Sequence, residues 1–205
     1  MTAAFIAFEG CEGAGKSTQE QLLAQYLMSA GHEVLRTREP GGTPAAEAIR
    51  AVVLDPRFIG LDPKCEALLF AAARAEHVSK VIAPALGRSQ IVICDRYIDS
   101  SVAYQGYARE LGPAQIADIS SWATAGLWPD LTFVLDIDPR VGLGRIEHPD
   151  RMEAEPLDFH HRVRAGFLDM ARTAGERAVV IDASASVQDI AAQVRGHVDS
   201  LLDAR

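Results

Sequence analysis

The chain has 205 residues, 48% of them hydrophobic and 23% charged, which is ordinary globular composition for about one compact domain and excludes a disordered chain. Its net charge of −8 argues against a broad electrostatic footprint on nucleic-acid backbones or anionic lipid, so any anionic ligand must be held locally. The opening Met1–Glu9 is apolar but lacks a charged leader, and no stretch reaches transmembrane length without charges; a cytoplasmic protein is expected, with neither nucleic acid nor membrane as partner.

Ala3–Phe8 is a near-continuous apolar run, as a parallel strand covered on both faces requires. It leads into Gly10-Cys11-Glu12-Gly13-Ala14-Gly15-Lys16-Ser17, a match to G-x-x-x-x-G-K-[ST] standing between a strand and the helical pattern Thr18–Ala30. Glycines let backbone N–H groups curl around a phosphate, the helix N-terminus adds partial positive charge, Lys16 reaches the outer phosphate oxygens, and Ser17 offers a hydroxyl to Mg²⁺. The loop, through Thr18, is thus a site for a nucleoside triphosphate, without by itself saying what is done with it.

Gly31 ends the helix, and a second strand, Glu33–Thr37, runs into Thr37-Arg38-Glu39-Pro40-Gly41-Gly42-Thr43. Strand ends of open α/β sheets face the ligand crevice; Arg38 could clamp an acceptor phosphate there, and Glu39 could orient an arginine or a sugar hydroxyl. In the helical stretch Cys65–Leu86, Phe70 and Arg74 are four apart and share a face. A third strand, Ile91–Cys94, ends at Asp95-Arg96-Tyr97, where an acid can hold Mg²⁺ through water and a guanidinium can neutralise phosphate. Asp136, after the fourth strand Leu131–Leu135, could also fill the acidic position, but Asp95 has the neighbouring arginine; Asp136 and Asp138 read as turn residues before Pro139.

Helical spacing also marks Gln115–Ala125, Leu157–Thr173 and Val187–Leu202, with a fifth strand at Ala178–Ile181. The charged, proline-bearing stretch Glu147–Pro156 reads as a mobile surface loop. Cys11, Cys65 and Cys94 are odd in number and lack metal-ligand spacing, which fits a reducing compartment. The alternation of strands and helices gives an α/β fold with a mostly parallel five-stranded sheet covered by helices on both faces.

The phosphate loop, the TREPGGT and DRY segments, Leu69-Phe70-Ala71-Ala72-Ala73-Arg74 and Ala103-Tyr104-Gln105-Gly106 occur in order, and together they resemble the thymidylate kinase family from about Phe5 to Asp182. The resemblance implies a three-layer P-loop kinase domain over 1–205 with a lid at about 146–156, transfer of the γ-phosphoryl group of ATP to dTMP with Mg²⁺, and a homodimer. It implies that Phe70 stacks on thymine and Arg74 donates to its carbonyl. Ser101, Tyr104 and Gln105 then face the pyrimidine edge and sugar, Tyr104 disfavouring ribose. Arg38 and Arg96 grip the acceptor phosphate, and Glu9 lies close to the acceptor and its metal. Some members carry an arginine inside the phosphate loop; this chain has Glu12 there and resembles the subgroup whose catalytic arginines come from the lid, here Arg145 and Arg151. A kinase for another monophosphate is the nearest rival. A GTP-dependent switch would need guanine-recognition residues of the N-K-x-D type, which are absent, and intact Lys16, Ser17, Asp95 and Arg96 speak against an inactive scaffold.

Overall fold

A computed structural model describes residues 3–205; Met1 and Thr2, the start of the apolar opening, lie outside the described residues. Five parallel strands, β1 (Ala4–Glu9), β2 (Val34–Arg38), β3 (Ile91–Asp95), β4 (Leu131–Asp136) and β5 (Ala178–Asp182), form one sheet in the order β2-β3-β1-β4-β5. Successive side chains of a strand point to opposite faces, and here both faces are dry. Ile6 and Phe8 of β1 and Ile91 and Ile93 of β3 enter one core, whereas Phe5, Ala7, Val92 and Cys94 enter the other. That is why these strands read as unbroken apolar runs.

Helices α1 (Lys16–Ser29), α8 (Leu157–Ala174) and α9 (Val187–Asp203) contribute to the first core; α3 (Pro63–His77) and α6 (Pro113–Ala123) contribute to the second. The helical stretch expected over Cys65–Leu86 is present, but it passes through a wide π-type turn, Val78–Ile82, into α4 (Ala83–Gly87). Pro84 explains the widening, since it has no N–H to return to the carbonyl four residues back. A second wide stretch, Val102–Ala108, follows α5 (Ile98–Ser101), and Arg109 N–H reaches the Tyr104 carbonyl five residues back at 2.9 Å.

One helix was not anticipated, and another was marked only by its starting proline, Pro139. The first, α2 (Pro44–Val53), is capped by the Thr43 hydroxyl, which accepts from Ala46 N–H at 3.1 Å, with proline at its first position. The signal was the Thr43-Pro44 pair itself, an N-cap followed by a residue pre-set for the first helical turn. The other, α7 (Pro139–Leu143), is capped by Asp138. Asp136 is therefore no turn residue: it ends β4 and forms a two-pronged ion pair with Arg164, at 2.6 and 2.8 Å. Parallel pairing brings Arg38 opposite Asp95 and Asp136 opposite Asp182, so the charged strand ends collect along the carboxyl edge of the sheet.

Candidate active site

The phosphate loop leaves β1 and enters α1 as one tight curl. Gly10 (φ 130°) and Gly13 (φ 66°) take conformations that disfavour side chains, and a Cβ at either would stand 2.3 Å from the Leu135 carbonyl oxygen or 2.2 Å from that of Gly142. Inside the curl the buried Lys16 ammonium donates to the Gly10 and Cys11 carbonyls at 3.0 and 2.9 Å. Burial, then the nearby Arg96, pulls the Lys16 pKa below its ordinary value against the opposing charges of Glu12 and Asp95; an arriving phosphate would reverse that pull. Cys11 is buried and its thiol is pushed up to about 12 by desolvation, so it packs as a small apolar residue instead of acting as a nucleophile.

A cavity opens over this loop, walled by Gly15 and Thr18 on one side and by Ala183, Ala185 and Val187 beyond β5 on the other. Arg145 also lines it, donating to the Gly13 carbonyl at 2.6 Å. At the cavity's inner end the Ser17 hydroxyl donates to Asp95 at 2.8 Å. Two oxygens held together beside a phosphate loop are a donor set suited to Mg²⁺, a cation that keeps waters and substrate phosphates as its other ligands.

A second cavity lies next to the first. Phe70 and Arg74 of α3 line it together with Glu39, Arg96, Ser101, Tyr104 and Gln105. Arg74 is 2% exposed and is fixed on several sides: Nε donates to Glu39 at 2.6 Å, Nη1 to Ser120 at 3.2 Å, and Nη2 to the Tyr97 carbonyl at 2.9 Å and Ser101 at 3.0 Å. Glu39 in turn bonds His77 at 3.0 Å. Glu39 therefore orients an arginine, one of the two roles its position allowed. Ser101 and Gln105, four residues apart, face the same space, as helical spacing expects.

Arg96 lines this second cavity and ties it to the phosphate loop. Its backbone is left-handed (φ 67°), a conformation a bulky side chain adopts only when its surroundings enforce it. The guanidinium donates to the Gly10 carbonyl at 3.2 Å and Ser100 at 3.1 Å, pairs with Glu12 and stands 5.2 Å over the Tyr104 ring. Glu12 also accepts the Tyr104 hydroxyl at 2.7 Å. Burial pushes the Glu12 carboxyl up, but Arg96, then Lys16, then the Tyr104 bond bring it below its ordinary value.

Two expected residues lie elsewhere. Arg38 is exposed and its guanidinium is held by both oxygens of Glu47, at 3.0 and 2.9 Å. Its place at the acceptor cavity is taken by Arg50 of α2, which sequence reading missed along with the helix and which lines the cavity while donating to the Pro40 carbonyl at 3.0 Å. Arg151 does not approach the phosphate loop: it is 3% exposed, with Nη1 on Glu66 at 2.7 Å and Nε on the Val53 carbonyl at 2.7 Å. The loop expected as solvated surface is thus partly buried, and its Met152 is covered too.

Glu9 sits beneath the cavity floor, accepting from Tyr97 N–H at 2.7 Å and from the Ser100 hydroxyl at 2.5 Å. Burial, aided by Asp99, pushes its carboxyl up from 4.5 to about 7. A carboxyl raised on folding favours the folded state at the acid end, and that advantage is lost as pH rises through the folded value. Glu9→Gln should therefore lose about 1–3 kcal/mol less stability than the parent chain between about pH 5 and about pH 8. Denaturation curves with parallel pH dependence would contradict this.

The family model described as thymidylate kinase matches residues 8–194. A thymidylate kinase of Symbiobacterium thermophilum is 49% identical over 203 residues, covering 98% of this chain and 95% of that relative. One of Clavibacter sepedonicus is 49% identical over 208 residues, covering 100% and 98%. The crystal structure of thymidylate kinase from Ehrlichia chaffeensis superposes with a TM-score of 0.82 at 35% identity, covering 97% of this chain and 100% of that one. With a phosphate loop and two recesses at the carboxyl edge of a five-stranded parallel sheet and this extent of likeness, the chain belongs to the thymidylate kinase family.

Proposed function

We propose that the protein transfers the γ-phosphoryl group of ATP to the 5′-phosphate of dTMP. The observation that carries the reading is the link made by Arg96 and Glu12: both line a cavity that already holds an aromatic ring, Phe70, beside the buried, fastened guanidinium of Arg74, while Glu12 belongs to the phosphate loop and Arg96 bonds its Gly10 carbonyl. The fastening matters because a donor that is already in place costs no reorganisation when the base arrives. Phe70 offers a stacking face, Arg74 a donor for a base carbonyl, and Gln105 and Ser101 polar contacts for the pyrimidine edge. The Tyr104 ring and the Glu12 carboxylate close the space where a ribose 2′-hydroxyl would fall.

The acceptor is a phosphate and is already ionised near neutral pH, so no strong protein base is required; positioning and charge compensation suffice. Lys16 and the loop N–H groups hold the donor, Arg96 and Arg50 receive the acceptor, and Arg145 is the lid arginine near the transferred group. Mg²⁺, held by Ser17 and Asp95, would supply charge neutralisation between the donor's outer phosphates. The chain works as a single kinase domain over 1–205, and its three free cysteines support a reducing, cytoplasmic location. A homodimer is supported by Leu68 of α3 and Trp122 of α6, apolar side chains 58% and 85% exposed; a monomer mass in sedimentation would remove that part.

Measuring ADP release against a panel of monophosphates tests the assignment, and equal rates with UMP and dTMP would defeat it. On the same panel Phe70→Ala should raise the KM for dTMP roughly 5- to 100-fold, the worth of about 1–3 kcal/mol for a stacked base, with the KM for ATP nearly unchanged. An unaltered KM for dTMP would mean that the ring packs without reading the base.

A further inference from the structure

Glu66, in the first turn of α3, is 0% exposed and is the centre of an ion cluster that joins three elements. Its Oε1 accepts from Gln105 at 2.9 Å and Arg109 Nε at 3.2 Å; its Oε2 accepts from Arg109 Nη2 at 3.1 Å and Arg151 Nη1 at 2.7 Å. Arg109 closes the α5 region and is also gripped by Glu155 of the lid at 2.5 Å while stacking 4.6 Å over the Phe159 ring. Two carboxylates and two guanidiniums therefore balance in a largely water-free space, with the lid supplying one of each.

The lid segment that carries Arg151 is a preformed turn. Asp150 accepts from the N–H groups of Met152 and Glu153 at 2.8 and 3.0 Å, and Arg151 N–H donates to the Leu54 carbonyl at 3.1 Å, which docks the turn on the end of α2. Asp150, Met152 and Glu153 then face into the acceptor cavity. Along α3, Glu66, Phe70 and Arg74 succeed one another at four-residue spacing and so form a single stripe. The same helix face that meets the base also holds the roof over it, and Gln105 touches both, bonding Glu66 and lining the cavity.

We infer that Glu66 is a positioning residue that fastens the lid over the acceptor cavity, with Arg151 as the side chain it fastens. Arg151 is then a structural anchor of the lid, leaving Arg145 to meet the phosphates. This inference rests on the acceptor reading given above. Breaking a buried pair by removing one partner is costly because the other charge is stranded, and here that cost falls on the closed lid and so on acceptor retention, with little effect on the phosphate loop.

The test uses the full-length chain, as Glu66→Gln, Arg151→Met and the double variant, with steady-state kinetics and hydrogen exchange read together. Each single variant should raise the KM for dTMP at least roughly ten-fold, hold the KM for ATP within about two-fold and kcat within about three-fold, and speed exchange in residues 146–156 above the rest of the molecule. The double variant should be no worse than the poorer single, because the pair acts as one unit. An unchanged KM for dTMP, additive penalties, or exchange that accelerates uniformly would overturn the inference. Should Glu66→Gln fail to fold, Glu155→Gln, whose side chain is 22% exposed, should give a smaller rise of the same kind confined to the same segment. Loss of dTMP phosphorylation by the parent chain would refute the acceptor assignment instead, while the exchange contrast without nucleotide would still decide the fastening.

Discussion

Replacing Lys16 by alanine should lower kcat by about a thousand-fold or more while leaving the fold intact. Its ammonium is buried within the phosphate loop and already aimed, held at 3.0 and 2.9 Å by the carbonyls of Gly10 and Cys11. Those carbonyls position the charge without neutralising it, since they are dipoles, and the nearest carboxylates, Glu12 and Asp95, are each engaged with another partner. A phosphate chain entering the loop would draw the amine outward from bonds it can exchange at little cost. Charge developing on the transferred group then meets a cation in a site from which much of the water is excluded, where its effect is far larger than at the surface. Turnover measured at saturating nucleotide, beside thermal unfolding of the same samples, checks the prediction. Retained turnover with intact structure would remove the phosphate loop from the mechanism.

How much of this was legible in the sequence follows from how local each signal was. The three central strands, β1, β3 and β4, could be read because both faces of the sheet are covered there, so each appears as an apolar run, whereas the edge strands β2 and β5 keep only a partly buried apolar stretch. The phosphate loop could be read because its backbone conformation demands glycines at fixed spacing. Phe70 and Arg74 needed only the pitch of one helix. Arg38 and Arg151 were harder, because the destination of a long flexible cation is set by whichever carboxylate the fold brings within reach, and Glu47 and Glu66 compete for them from distant or unrecognised elements. Arg50 was missed for a different reason: it lies on a short helix, Pro44–Val53, whose Thr-Pro start was not read as a cap. Glu12 was legible as a position but not as a role, since its pairing with Arg96 crosses 84 residues of sequence.

That pairing frames the second large effect. Arg96→Met should cost about 10²- to 10⁴-fold in kcat/KM for dTMP and about 3 kcal/mol of stability. Two separate mechanisms produce these losses, and a second substitution can divide them. Stability falls because Glu12, only 8% exposed, loses the guanidinium that above all offsets the burial of its charge, leaving Lys16 and the Tyr104 hydroxyl as its remaining support. Activity falls because the wall of the acceptor cavity beside the phosphate loop loses its cation and keeps the Glu12 carboxylate, just where the acceptor phosphate is proposed to sit. Adding Glu12→Gln removes the stranded charge, so the double variant should recover most of the lost stability in denaturant unfolding. It should not recover the activity, because no cation is restored between donor and acceptor. If the double variant regained near-parental kcat/KM, Arg96 would be no more than a counter-ion for Glu12, and the compensation of acceptor charge would have to come from Arg50 and Arg145 alone.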